Sequence, residues 1–376
     1  MIDPLAWIDA EAASREALGL TRRLVARDPS LVNFASNDYL GLAADPRVIE
    51  TASNAARRFG FGAGASPLVS GWTEAHEALA HDLADFEGVE SVALFPTGYA
   101  ANLGAITAIV GKDDAVYVDR FDHACLIEAA RLSRATLRVY PHNSADRLAS
   151  LLARDRPRFR RLLVATEGVF SMDGDLAPLD QIASLCEEFG AMLLVDEAHG
   201  TGVFGPTGRG ACEQFDVCER VPIRVGTLSK ALGSLGGFVA GSRRLVDHLV
   251  NHARTMMYST AMPPACAAAA REALRIAREE PWRRERVHRL GQSLRDSLRA
   301  AGWVVPETSR GPILPVIVGE PSRSVEMANR LRESGFLVPA IRPPTVPEGT
   351  SRLRISLSAT HEDSVIAKLA EAIGKA

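Results

Sequence analysis

Three residues in the middle of the chain carry side chains suited to one particular chemistry. Asp196-Glu197-Ala198-His199 follows the apolar run Ala191 to Val195. Lys230 closes Thr227-Leu228-Ser229-Lys230, just ahead of Gly233, Gly236 and Gly237. The small neighbours Ser229, Ala231 and Gly233 leave room for a ligand beside the amine. Burial and nearby positive charge would free that amine of its proton near neutral pH, as a Schiff-base lysine requires. A carboxylate at the end of a buried strand can hold a pyridinium proton, and a histidine beside it can bond a phenolic oxygen. Together the three residues point to pyridoxal 5′-phosphate, whose protonated ring is an electron sink.

Plainer readings compete. A lone lysine in a loop is most often a solvated one. Asp-Glu-Ala-His resembles the acidic box of helicase-type ATPases, where the aspartate holds magnesium. That reading needs a phosphate loop ending in Gly-Lys-Ser or Gly-Lys-Thr upstream, and the sequence has none.

Other segments could complete such a site. Phe95-Pro96-Thr97-Gly98-Tyr99-Ala100 reads as a strand-to-helix turn. Free amides at a helix start bind phosphate, and Gly98 permits close approach while Tyr99 adds an aromatic ring. Asp122-His123-Ala124 opens another helix; His123 could stack on a flat ring, or it could be an exposed neighbour of a capping aspartate. Glu167 to Asp175 follows a further strand, with Ser171 a candidate hydrogen-bond donor to a cofactor. Gly60-Phe61-Gly62-Ala63-Gly64-Ala65-Ser66 loosely matches a dinucleotide fingerprint but follows a helix, so it reads as a flexible loop near a substrate entrance.

The elements that must position these residues follow from periodicity. Apolar runs predict strands at Val92–Phe95, Ala115–Val118, Leu137–Tyr140, Leu162–Thr166, Met192–Val195, Ile223–Gly226 and Gly237–Ala240. Several are continuous rather than alternating, as strands covered on both faces are. Helical patterns fit Glu74–Glu87, Ala100–Val110, Leu126–Leu132 and Leu179–Phe189. The alternation predicts an α/β fold with a mainly parallel sheet between helices. Beyond Pro281 a charged helix runs to about Ala301. Strand-like runs at Ile313–Val318, Phe336–Ile341 and Leu353–Leu357 then mix with helices at Ser324–Ser334 and His361–Ile373. The expected organisation is an N-terminal helix and arm (1–44, with one helix over 5–26 and a short strand at Leu31–Ala35), a large cofactor-binding domain (45–279) and a small α+β C-terminal domain (280–376).

Composition narrows the function. An apolar share of 47% with 24% charged residues is that of an ordinary soluble protein, and a net charge of −3 offers no field for nucleic acid or an anionic membrane. Five cysteines form no metal-binding spacing, so no metal is expected, and their odd number suits reduced thiols in a cytoplasmic protein. The start, Met1-Ile2-Asp3-Pro4, lacks the basic and apolar segments of a secretory signal.

Taken together and in order, the motifs resemble the α-oxoamine synthases, pyridoxal-phosphate enzymes of the aspartate-aminotransferase fold. The resemblance runs from about Arg22 to the end and rests on Ser36-Asn37-Asp38-Tyr39-Leu40-Gly41, Thr97-Gly98-Tyr99, Asp122-His123-Ala124, Thr166 to Asp175, Asp196 to Gly202 and Thr227 to Lys230. Within the family, Ala340-Ile341-Arg342-Pro343-Pro344-Thr345-Val346-Pro347 and Tyr258 to Pro264 look like the branch that condenses L-alanine with a pimeloyl thioester in biotin synthesis. Pro67 departs from the arginine many relatives have after Ala-Ser. The resemblance implies a pyridoxal-phosphate-dependent acyltransferase and a homodimer. It implies Lys230 as Schiff-base and proton-transfer residue, Asp196 at the pyridine nitrogen, His199 at the phenolic oxygen and His123 stacked on the ring. Gly98, Tyr99, Ser171 and Thr227 would help hold the cofactor, Thr227 at its phosphate. Arg22, Thr345, Arg342 and Asn37, together with His123, would meet the substrate, with Glu167 in support. Two alternatives within the fold are a glycine and acetyl-CoA condensing enzyme and a non-catalytic subunit.

Overall fold

The computed structural model describes residues 3–375. Its strands, in chain order, are β1 (Val32–Asn33), β2 (Ser91–Phe95), β3 (Ala115–Asp119), β4 (Thr136–Tyr140), β5 (Leu162–Glu167), β6 (Met192–Asp196), β7 (Ile223–Thr227), β8 (Gly237–Gly241), β9 (Ile313–Gly319), β10 (Phe336–Leu337), β11 (Ala340–Ile341) and β12 (Ser351–Ser356). Seven of them form one sheet in the order β2-β8-β7-β6-β5-β3-β4. Only β8 runs against the rest. The five residues of each of β2, β3, β7 and β8 are all buried, which is why these strands read as unbroken apolar runs. Helices cover both faces and divide the apolar interior into two clusters. One is centred on Tyr117, Val164 and Phe238, the other on Val116, Ala165 and Val239. Neighbouring strand residues alternate between them, as side chains on a pleat must.

The parallel strands all point their carboxyl ends to one edge. Ligands bind beyond that edge in open α/β sheets. β2 leads to Gly98, β3 to His123, β5 to Ser171, β6 to His199 and β7 to Lys230.

A second sheet, β11-β12-β9, is antiparallel and follows the long helix Trp282–Ala300. β1 pairs in parallel with β10, Val32 opposite Phe336. The arm that follows β1 is further fixed by Ser356 N donating to Phe34 O at 2.8 Å and Ala359 N to Tyr39 O at 2.8 Å.

Three expectations are corrected. The N-terminal helix covers Trp7–Ala17 rather than 5–26: Gly19 takes a left-handed φ of 64°, and residues 20–28 beyond it form no regular element and are mostly exposed. The run Phe336–Ile341 is two short strands in different sheets, because Pro339 interrupts the ladder. The strand at Leu31–Ala35 shrinks to Val32–Asn33, with Asn33 turning the chain through a side-chain bond from Ala35 N, 2.9 Å. The glycine cluster leads into a turn of π-helix, Pro67–Gly71.

Candidate active site

Lys230 and His199 meet directly. Lys230 Nζ lies 2.9 Å from His199 Nε2, and His199 Nδ1 lies 2.6 Å from the Tyr39 hydroxyl. That hydroxyl also reaches Asn37 Oδ1 at 3.1 Å. The tyrosine has one proton to give, so whichever acceptor takes it sets the tautomer of His199. Burial holds His199 well below its usual pKa, and the Lys230 and Arg354 cations add to the effect. Burial also lowers the Lys230 amine, against the pull of Asp196 and Glu167. A neutral imidazole therefore faces an amine poised to shed its proton, which is the state a nucleophilic lysine needs.

Asp196 ends β6 and is buried. Both its oxygens are engaged: Oδ1 accepts from Ala198 N at 2.8 Å, and Oδ2 accepts from Asn102 Nδ2 at 2.6 Å. Asn102 lies one turn inside the helix Gly98–Ile109, so this bond ties the carboxylate to the same helix whose start faces the site. Thr97 caps that helix by accepting from Ala100 N at 3.0 Å. The amides of Gly98 and Tyr99 in the first turn have no acceptor within the helix, a ready anion site. Space there is reserved by glycines: a Cβ on Gly98 would meet the Thr227 side chain at 3.3 Å, and one on Gly237 would lie 2.6 Å from the Gly98 backbone. Thr227 Oγ1 lies 2.8 Å from Ser229 Oγ, so two hydroxyls line the same corner. Tyr99 is exposed, with its hydroxyl bonded to Glu128.

His123 caps its own helix, its Nδ1 accepting from Cys125 N at 3.2 Å. Its Nδ1 is thus the acceptor nitrogen and its Nε2 carries the proton; burial keeps it below its usual pKa. His123 and Ser171 line one wall of a cavity of about 560 Å³, and Pro344, Thr345 and Arg352 line another. Arg342 is turned elsewhere, donating to the Gly19 carbonyl and so holding the arm. Arg22 is exposed on that arm.

The cofactor-binding and substrate-binding candidates therefore divide. Lys230, His199, Asn37, Asp196, Gly98 and Thr227 gather at the sheet edge, and His123, Ser171 and Thr345 share the cavity. Arg22, Arg342 and the Tyr99 side chain do not line that cavity. Arg354 escaped the sequence reading. It is buried, donates from Nη1 to Asn37 Oδ1 at 3.1 Å and from Nε to Ser171 O at 2.6 Å, and keeps a buried Nη2 without a partner. Asn102 and Tyr39 likewise join the site without a signal of their own in the sequence, although Tyr39 lies within Ser36-Asn37-Asp38-Tyr39-Leu40-Gly41. Glu167 is buried with one oxygen unpartnered, and burial, then Asp196 and Asp122, push its pKa well up. Glu197 of the Asp-Glu-Ala-His run is a structural anchor, accepting from Ala211 N at 2.8 Å and Cys212 N at 2.6 Å.

The family model for aminotransferase class I and II matches residues 29–373. An 8-amino-7-oxononanoate synthase of Anaeromyxobacter dehalogenans is 48% identical over 97% of this chain and 95% of its own. The chain belongs to the 8-amino-7-oxononanoate synthase family, within aminotransferase class I and II. Among solved structures, the Sphingomonas wittichii serine palmitoyltransferase covers 100% of this chain and 98% of its own with a TM-score of 0.94 at 32% identity. A high-resolution structure of SPT with PLP internal aldimine superposes with the same score at 31% identity, again over 100% and 98% of the two chains. The fold is thus that of the pyridoxal-phosphate transferases, as the motif order implied. No helix among the described residues is long and apolar enough to cross a membrane.

Proposed function

We propose that the protein condenses L-alanine with a pimeloyl thioester to give 8-amino-7-oxononanoate, carbon dioxide and the free thiol carrier, with pyridoxal 5′-phosphate as cofactor. The observation that carries the reading is the buried Asp196–Lys230–His199 group at the sheet edge of a chain 48% identical, nearly end to end, to a synthase of that name. The residues present fit the cofactor. The uncapped amides of Gly98 and Tyr99 with the Thr227 hydroxyl would take its phosphate, Asp196 its ring nitrogen, His199 its phenolic oxygen and Lys230 its aldehyde carbon, while His123 and Ser171 flank it. Bound there, the cofactor supplies an electron sink for charge developing at the α-carbon.

The chain's own groups do the rest. Lys230, its amine held below the usual lysine range by burial, takes the proton from alanine Cα. Arg354 has a buried guanidinium nitrogen free, the natural partner for the amino acid's carboxylate. The His123 Nε2–H can donate to the thioester carbonyl oxygen as charge builds there. Cα gains the acyl group as the C–S bond breaks and the thiolate leaves to take up a proton; the carboxyl group then leaves as carbon dioxide, and Lys230 returns a proton to Cα. The cavity bounded by His123 and Thr345 is large enough for the acyl chain.

Residues Trp7–Ala17 bury nothing in their own chain, and Trp7, Leu18, Leu24 and Val25 stand exposed. Such an apolar arm seeks a second surface. We assign it to a homodimer working in the cytoplasm.

The test is a substrate matrix: alanine, glycine and serine against pimeloyl-, acetyl- and palmitoyl-CoA. The serine and palmitoyl arms are included because the serine palmitoyltransferase shares the fold so closely. Alanine with pimeloyl-CoA should give the highest kcat/KM, and Thr345→Ala should raise the KM for pimeloyl-CoA. A preference for glycine with acetyl-CoA, or serine with palmitoyl-CoA, overturns the reading.

A further inference from the structure

One charged residue near the site has no part in the scheme above. His142 follows β4 and places both ring nitrogens on carboxylates: Nδ1 lies 2.9 Å from Asp119 Oδ1, and Nε2 lies 2.8 Å from Asp175 Oδ2. A histidine can donate from both nitrogens only as imidazolium. Burial opposes its charge, but the bonds to Asp119 and Asp175 outweigh that and raise its pKa to about 10. Those two carboxylates are the charged groups that face it; Asp122 stands behind, accepting from Asp119 N at 2.7 Å. The ring is also gripped by aromatics, Phe121 at 4.6 Å between centroids and Phe170 edge-on at 4.5 Å.

The connections of these partners give the arrangement its meaning. Asp119 and Phe121 belong to the segment that carries His123, and Phe170 and Asp175 to the segment that carries Ser171. Asn143 strengthens the junction, its N donating to Asp119 Oδ2 at 2.7 Å and its Nδ2 to Asp175 Oδ2 at 3.0 Å. Asp175 Oδ1 is buried without a partner, so the side-chain bonds of this carboxylate, from His142 and Asn143, fall on Oδ2.

We infer that protonated His142 is a positioning residue for the acyl half of the reaction, a charged rivet that holds the His123 and Ser171 segments at the spacing the acyl cavity needs. The inference rests on the proposed condensation for its kinetic consequence only. Lys230, His199 and Asp196 hang from other strands and do not touch the rivet. Proton exchange at alanine Cα should therefore fall less than acyl transfer when the rivet is lost, its own loss coming through the Ser171 segment that also holds Arg354.

The experiment uses the holoenzyme, wild type and His142→Gln, with Asp175→Asn as a second variant that keeps the ring and one carboxylate. First, ¹⁵N-histidine spectra of wild type at pH 8 should show one imidazolium with both nitrogens protonated, absent in His142→Gln. Second, kcat/KM for pimeloyl-CoA should fall roughly ten- to hundredfold, the scale of a misplacement near 1 Å, while alanine α-proton exchange without acyl donor falls several-fold less. Third, in Asp175→Asn the imidazolium should titrate at lower pH, and the acyl kcat/KM should fall over the same pH range. A neutral His142 at pH 8, equal losses in exchange and acyl transfer, or unchanged acyl kinetics would each overturn it. Should wild type reject pimeloyl-CoA altogether, the function reading fails. The spectra then still decide the charge of His142, and the accepted acyl donor replaces pimeloyl-CoA in the kinetic arm.

Discussion

Replacing Asp196 with asparagine separates its electrostatic part from its structural one. Its two oxygens each accept one bond, from Ala198 N and from Asn102 Nδ2. An asparagine has one oxygen and one NH₂, so one donor loses its acceptor. The Asn102 Oδ1, however, is buried without a partner, and turning that amide over would let it accept from the new NH₂. The stability loss should therefore stay near the net worth of one hydrogen bond, about 1 kcal/mol. The rate loss should be far larger. Two unit charges about 4 Å apart attract by about 4 kcal/mol at an effective dielectric of 20, the scale of what the Asp196 carboxylate would offer a protonated ring nitrogen. An amide at this position would forfeit that attraction, and with it the electron sink that Asp196 would support. About 3–5 kcal/mol corresponds to roughly two to four powers of ten in rate. The assay is alanine α-proton exchange in D₂O by NMR, with the melting temperature and cofactor content measured on the same sample. An exchange rate within tenfold of wild type, on a folded and cofactor-loaded variant, refutes the role given to Asp196.

Lys230→Ala should fold, lose the visible absorbance of bound cofactor after dialysis and lose turnover; retained turnover refutes its assignment. Gly237→Ala puts a Cβ 2.6 Å from the Gly98 backbone, so the helix start must shift, and cofactor affinity read by fluorescence titration should fall at least tenfold with the sheet intact by circular dichroism. The His142 pKa is raised to about 10 in the fold, so its contribution to stability is full below about pH 6.5 and is lost as pH rises through 10. The urea midpoint of wild type should fall over that window, and that of His142→Gln should fall less. Arg224 is buried on Glu87, Nε to Oε2 at 3.1 Å; Arg224→Leu should destabilise by about 3–5 kcal/mol, less at acid pH because burial already raises the Glu87 pKa to about 7.

The seven strands of the large sheet were legible because both faces of most are covered, and full burial writes itself into sequence as an unbroken apolar run. The residues just past those strands were legible for the same reason: once β6 is seen, Asp196 must sit at the ligand edge. Arg354 was hidden by a sound rule. Ser351-Arg352-Leu353-Arg354-Ile355 alternates, and alternation says one face is solvated. Here all six residues of β12 are buried, the polar face lying against the Asn37 and Ser171 segments. Asn102 and His142 had no local signature at all. Each acts across the fold on a partner that only tertiary structure brings near. The N-terminal helix was overextended because the periodic pattern continues past Gly19, and the backbone conformation there breaks it.

The pairing of β1 with β10 bears on how the molecule is made. Val32 and Phe336 stand 304 residues apart in sequence, so this pair waits until everything between them has been made. Tyr39 and Asn37 hang from the same arm, and through them the arm reaches His199 and Arg354. The large sheet can assemble during synthesis, since its strands follow one another closely, whereas contacts so distant in sequence form late. Lys230 is therefore surrounded in two stages, and a chain whose β1 and β10 have not yet paired would present it in a cleft still open on one side. Competence for cofactor capture and competence for turnover need not arrive together.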